Sequence, residues 1–142
     1  MAYKVKVVKK RPDYRVFIDL LYGFEHNVDT DGDSIPVNSR SWTFLYIKDR
    51  MSNEPFVLIN VENLDTSMFE IKSASKRLEE LSALYLFEYC GSSIEHDGEK
   101  IRRETILKMK EIYQTELDRA YSSIWHYSSD KTPYPNLESY KR

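Results

Sequence analysis

Apolar residues at Ile71, Ala74, Leu78, Leu81 and Tyr85 recur at helical spacing, and Leu84 and Phe87 widen the stripe. A stripe this long must be buried against a second layer, so it constrains the fold more than any other stretch. Just before it, Ser67-Met68-Phe69-Glu70 has the form of a capping box, in which the serine hydroxyl caps a helical N–H and the glutamate reaches back. Gly91 then offers a left-handed stop. Together these predict a helix over about 67–90. A second run, Ile106, Met109, Tyr113, Leu117, Ala120 and Ile124, predicts a helix over about 98–127, starting near Asp97 or Gly98. At roughly 1.5 Å per residue it would reach ~45 Å, which demands cover from this chain's sheet or from another copy.

The first half has a different texture. Val5 and Val7 alternate with Lys4 and Lys6, the period of a half-buried strand. Tyr14, Phe17, Ile18 and Leu21 follow Pro12 at helical spacing, with Gly23 placed to end the turn. A helix over 12–22 is favoured, although "RVFIDLLYGF" also has strand-forming composition. "SWTFLYIKD" and "FVLINVEN" read as paired strands joined by the turn chemistry of Ser52 to Pro55, the first with apolar residues on both faces. The expected fold is therefore α+β: a small antiparallel sheet or hairpin packed against a long antiparallel α-helical pair, with an extended C-terminal tail. Residues 1–127 would form one domain and 128–142 an arm.

Charge narrows the partners. Lys and Arg total 21 against 23 Asp and Glu, a net charge of −2 that predicts no overall attraction to nucleic acid or membrane. The first eleven residues carry five positive charges, which could hold phosphate, but a solvated basic strand is the preferred reading. No apolar run approaches the ~18–20 residues that span a bilayer, and lysines interrupt any signal-peptide core at the N-terminus. A single cysteine, Cys90, excludes an internal disulfide and suggests a reducing compartment or a redox-indifferent protein. The 11 tyrosines lean toward interfaces, since tyrosine brings large contact area at low entropic cost.

The stretch "HNVDTDGDSIPVN" holds half of a calcium loop. Asn27, Asp29, Asp31 and Gly32 occupy positions one, three, five and six, but Asn38 stands where a bidentate glutamate is needed. Asp29, Asp31 and Asp33 are read instead as a tight acidic surface loop with Asx-turn geometry, and so as partner-binding residues. The three histidines, His26, His96 and His126, lie in different segments. Ser92, Ser93, Glu95 and Asp97 crowd around His96 too closely in sequence for a catalytic triad. Cys90 ends an apolar helix and is read as a core residue. With no phosphate loop, CxxC or HExxH, no catalytic residue and no cofactor is expected. In the tail, Tyr134, Leu137 and Tyr140 are anchors for an arm that could order on a partner.

Two stretches, "MFEIKSASKRLEELSALYLFEYCGSS" and "GEKIRRETILKMKEIYQTELDRA", together resemble the antiparallel helix pair of tailed-phage head–tail connector (adaptor) proteins. "SRSWTF" is similar to a Trp-containing element of the podovirus members, and the resemblance spans roughly residues 40–127. The basic first strand departs from that family, whose members begin with helix. The resemblance implies a non-enzymatic virion structural protein that self-associates in a ring below the portal and docks its C-terminal arm on other neck proteins, found in the virion and host cytoplasm. The alternative is a small cytoplasmic binding protein, a toxin-immunity or phage-encoded inhibitor protein. Its acidic loop, Glu25 to Asp33, would mask a basic partner.

Overall fold

The computed structural model describes residues 2–63, 65 and 67–135. The lysine-valine alternation forms strand β1 (Tyr3–Val7). Helix α1 (Arg15–Leu21) follows Pro12, burying Val16, Phe17 and Leu20, and Gly23 leaves it with φ +116°. Strands β2 (Val28–Gly32), β3 (Phe44–Asp49) and β4 (Val57–Asn63) make an antiparallel meander that continues into β5 (Met68–Ser73). Helix α2 (Lys76–Cys90) leads into β6 (Gly91–His96) and the two-residue β7 (Glu99–Lys100). Helices α3 (Arg103–Ile112) and α4 (Gln114–Tyr121) and a 3₁₀ turn (Ile124–Tyr127) complete the order.

The expected architecture does not form. Among the described residues the protein is a seven-stranded antiparallel sheet, ordered β2-β3-β4-β5-β1-β6-β7, with four helices; no long helical pair exists. Three local readings fail for three reasons. Residues 68–73 alternate, so Phe69 and Ile71 face inward opposite Val5 and Tyr3 while Glu70 and Lys72 pair at 3.0 Å on the other face. That pairing outweighs the helix signal of Ser67, and the working N-cap is Ser75, whose hydroxyl accepts the Leu78 N–H at 3.2 Å. Asp97 and Gly98 both have positive φ, +55° and +82°, and form the two-residue turn of a β6–β7 hairpin rather than a helix start. The remaining helical stretch breaks at Tyr113, letting α3 pack on α2 while α4 packs on α1.

Gly91 is extended, at φ −98°, and serves close approach instead: an added Cβ would lie 2.8 Å from Val5 Cγ1 and 2.9 Å from Phe87 Cα.

The core lies between one face of the sheet and the helices. Tyr3, Val5, Leu45, Ile47, Ile59, Phe69 and Ile71 form one buried cluster with Leu78, Leu81, Leu84 and Tyr85 of α2. Each fully buried large apolar side chain contributes about 1.5–3 kcal/mol. Residues 78–86 are all buried, because α2 is covered by the sheet on one side and by helices on the other. An aromatic chain ties the layers: Phe17 meets Tyr85 and Trp42 edge-on, and Trp42 meets Phe69 the same way. Trp42 is 1% exposed and donates its indole N–H to the Pro12 carbonyl at 2.8 Å.

The other sheet face carries Lys4, Lys6, Phe44, Tyr46, Asn60, Glu62 and Lys72, half-buried or exposed, so β3 is covered on one side only. The basic first strand is central, not an edge, and Lys4 is engaged by Glu62 at 3.1 Å.

Candidate binding edge and cleft

The half-complete calcium loop folds as the edge strand β2, which among the described residues pairs with β3 alone. Asp29 and Asp31 project at alternate positions onto the open face of the sheet, both exposed, opposite Lys48 and Tyr46. Asp29 meets Arg50 at 3.1 Å with more than half of each side chain exposed, an ion pair worth little in water. Asp33 faces elsewhere. It accepts the Thr43 and Phe44 N–H groups at 2.7 and 3.0 Å and the Thr43 hydroxyl. Burial pushes its carboxyl up, but the hydrogen bonds from Thr43 and Phe44 outweigh this and hold it below the usual carboxylate range. Asn27 is exposed and its carbonyl accepts the Arg50 N–H. Gly32 is required by contact rather than by ion geometry, since an added Cβ would sit 2.4 Å from the Phe44 carbonyl oxygen. Among the described residues, no three His, Cys, Asp or Glu side chains converge to hold a metal ion.

Behind the edge strand, on the helix side, lies a cleft of about 450 Å³. Val28 and Thr30 of β2 line it with Tyr14, Ile18, Phe24, Ile124 and Trp125, and Phe24 and Ile124 are 55% and 42% exposed. Its polar members are Asp19, Glu25 and His26 beside Arg15 and Asn27. Asp19 is buried and accepts the Ser123 hydroxyl at 2.5 Å, and its carboxyl is pushed up by burial, which exceeds the opposing effects of Ser123 and Arg119. His26 stacks on Tyr22 and donates Nε2–H to Asp49 at 2.7 Å. Asp49 also accepts the Met51 N–H and the Ser52 hydroxyl, and these bonds with His26 hold its carboxyl low against the upward push of burial.

The remaining chemistry is dispersed. His96 stacks on Tyr3, while His126 donates to the Ala120 carbonyl and its imidazole is pushed down by burial. Among the described residues no histidine is hydrogen-bonded to a serine, threonine or cysteine. The buried Cys90 thiol is pushed up to about 12, chiefly by burial, and so stays protonated.

The C-terminal segment folds back on its own domain as far as Pro135. Arg15, 5% exposed, forms a two-bond fork with Asp13 (2.9 and 2.6 Å) and donates to the Pro133 carbonyl at 2.7 Å. Its guanidinium lies 4.0 Å from the Trp125 ring centre and 5.2 Å from that of Tyr134. Ser128 donates to Asp13 at 2.6 Å, and Arg40 donates to the carbonyls of Trp125, His126 and Ser128. Tyr134 is thus engaged within its own chain while 45% exposed. Leu137 and Tyr140 lie outside the described residues. Neither Asp13, Arg15 nor Arg40 stood out in the sequence. "PDYR" looks like a helix start, and nothing local shows that its two charges are buried against a segment more than a hundred residues away.

Comparison with models of known protein families, with curated proteins and with solved structures finds no match for this chain.

Proposed function

We propose that the chain is a non-enzymatic protein-binding module that engages a positively charged segment of a partner along β2. The observation that carries this reading is a free sheet edge with Asp29 and Asp31 exposed on one face and an apolar cleft on the other. An extended segment can add to such an edge through its main chain. Alternate side chains would then meet the two carboxylates and the cleft containing Phe24 and Ile124. This is the chemistry of an inhibitor or toxin-immunity protein that masks a basic surface, acting in the cytoplasm. No described helix is long and apolar enough to cross a membrane. The other reading is the ring-forming head–tail connector: α2, α3 and α4 hold most of the helical text of that resemblance, while β5 and the β6–β7 hairpin take the beginnings of its two stretches.

Titration with a short fluorescent peptide of alternating arginine and valine tests the proposal. Binding that weakens about tenfold in Asp29→Lys/Asp31→Lys and falls with added salt is expected. Equal binding of a glutamate-valine peptide would sink it.

A further inference from the structure

We infer a second docking site of opposite charge at the far edge of the sheet, a groove that accepts an acidic partner segment with apolar anchors. The groove, about 520 Å³, runs between α3 and the β6–β7 hairpin beside the end of α2. Its apolar lining is Phe87, Ile94, Ile101, Ile106 and Leu107, with Leu107 50% exposed. Arg103, Ile106, Leu107 and Lys110 line it from α3 at the i, i+3, i+4, i+7 spacing that a helix normally turns toward its core. Yet α3 fully buries only Met109. A helix this short draws its stability from packing, and here a prepared stripe faces an open groove.

Charge identifies the occupant. Three cations, Lys100, Arg103 and Lys110, line the groove against one carboxylate, Glu88. Lys110 and Glu88 face each other at 3.5 Å, while Lys100 and Arg103 make no ion pair among the described residues. Free cations above an apolar floor complement a segment whose aliphatic or aromatic side chains enter the groove and whose carboxylates reach Lys100 and Arg103. The site stands on residues distinct from β2. The molecule then offers an acidic edge and a basic groove at the two ends of one sheet.

The test uses a fluorescent peptide with leucines at helical spacing and glutamates between them, and a twin with lysine for every glutamate. Anisotropy should show micromolar-to-millimolar binding of the acidic peptide only, with amide shift changes at Ile94, Ile101 and Leu107. Lys100→Glu/Arg103→Glu should weaken it about tenfold, and Leu107→Ser should weaken it further. Asp29→Lys/Asp31→Lys should leave it unchanged, which separates this site from the β2 edge. All these side chains are exposed, and circular dichroism of each variant checks that the fold is intact. No binding, equal binding of the two peptides, or binding indifferent to Lys100→Glu/Arg103→Glu would overturn the inference. Self-association of the wild type that Lys100→Glu/Arg103→Glu abolishes would overturn it too, by assigning the groove to a second copy.

Discussion

The two ends of the helical layer are held by opposite means. At one end, residues 123–135 are clasped by polar groups: the buried Arg15 and Asp13 with Ser128 and Pro133, the half-buried Arg40 with three carbonyls, and the buried Asp19 with Ser123. At the other, α3 rests on Met109 and leaves Leu107 and Ile112 half or more exposed. Charges are buried where the segment must be held in one place, because a buried fork is satisfied in one geometry only. Where apolar surface stays open, the chain leaves room for another molecule.

The largest effect expected is on the clasp. Arg15→Ala leaves Asp13 buried without its cation and should cost about 3–5 kcal/mol in urea unfolding. A loss below ~1 kcal/mol would mean that the clasp holds nothing.

Asp33 and Asp49 hold the β2–β3 and β3–β4 turns through hydrogen bonds to their carboxylates. Both carboxyls are held low in the folded protein, so their stabilisation is present above the unfolded carboxylate pKa of about 3.9 and is lost as pH falls through the lower folded value. Asp49→Asn should therefore destabilise the protein by about 1–3 kcal/mol at neutral pH, and the difference from wild type should shrink in acid. A constant difference from neutral to acid would contradict the assignment.

The smallest effect belongs to the open end. Leu107→Ser should change stability by less than about 0.5 kcal/mol, since the side chain is already half in water. A thermal midpoint that falls by many degrees would show that α3 is part of the core and not a free face.

Parts of this fold are visible in the sequence and parts are not. The alternation of β1, the β3–β4 pair, the helix after Pro12 and the Leu78-to-Phe87 part of the stripe lie where periodicity puts them, whereas Ile71 and Ala74 of that stripe fall before α2. Residues 68–73 mislead because "SMFE" satisfies a capping box while Phe69 and Ile71 also satisfy a strand. Asp97-Gly98 is a hairpin-turn dipeptide, but the helical run behind it makes the same two residues resemble a helix start. At the candidate site the acidic residues were visible, but their division of labour was not. Asp29 and Asp31 stay exposed on an edge strand while Asp33 is consumed in pinning Thr43.

Local residue order is enough to set the periods of the elements and the acidic stretch between residues 25 and 33. The place of β1 inside the sheet, between β5 and β6, and the burial of Arg15 and Asp13 beneath the C-terminal segment come from the folded arrangement alone. The physical reason is range. A period is set by neighbours a few residues apart, whereas strand order and the burial of a charge depend on partners that reach the same place from distant parts of the chain.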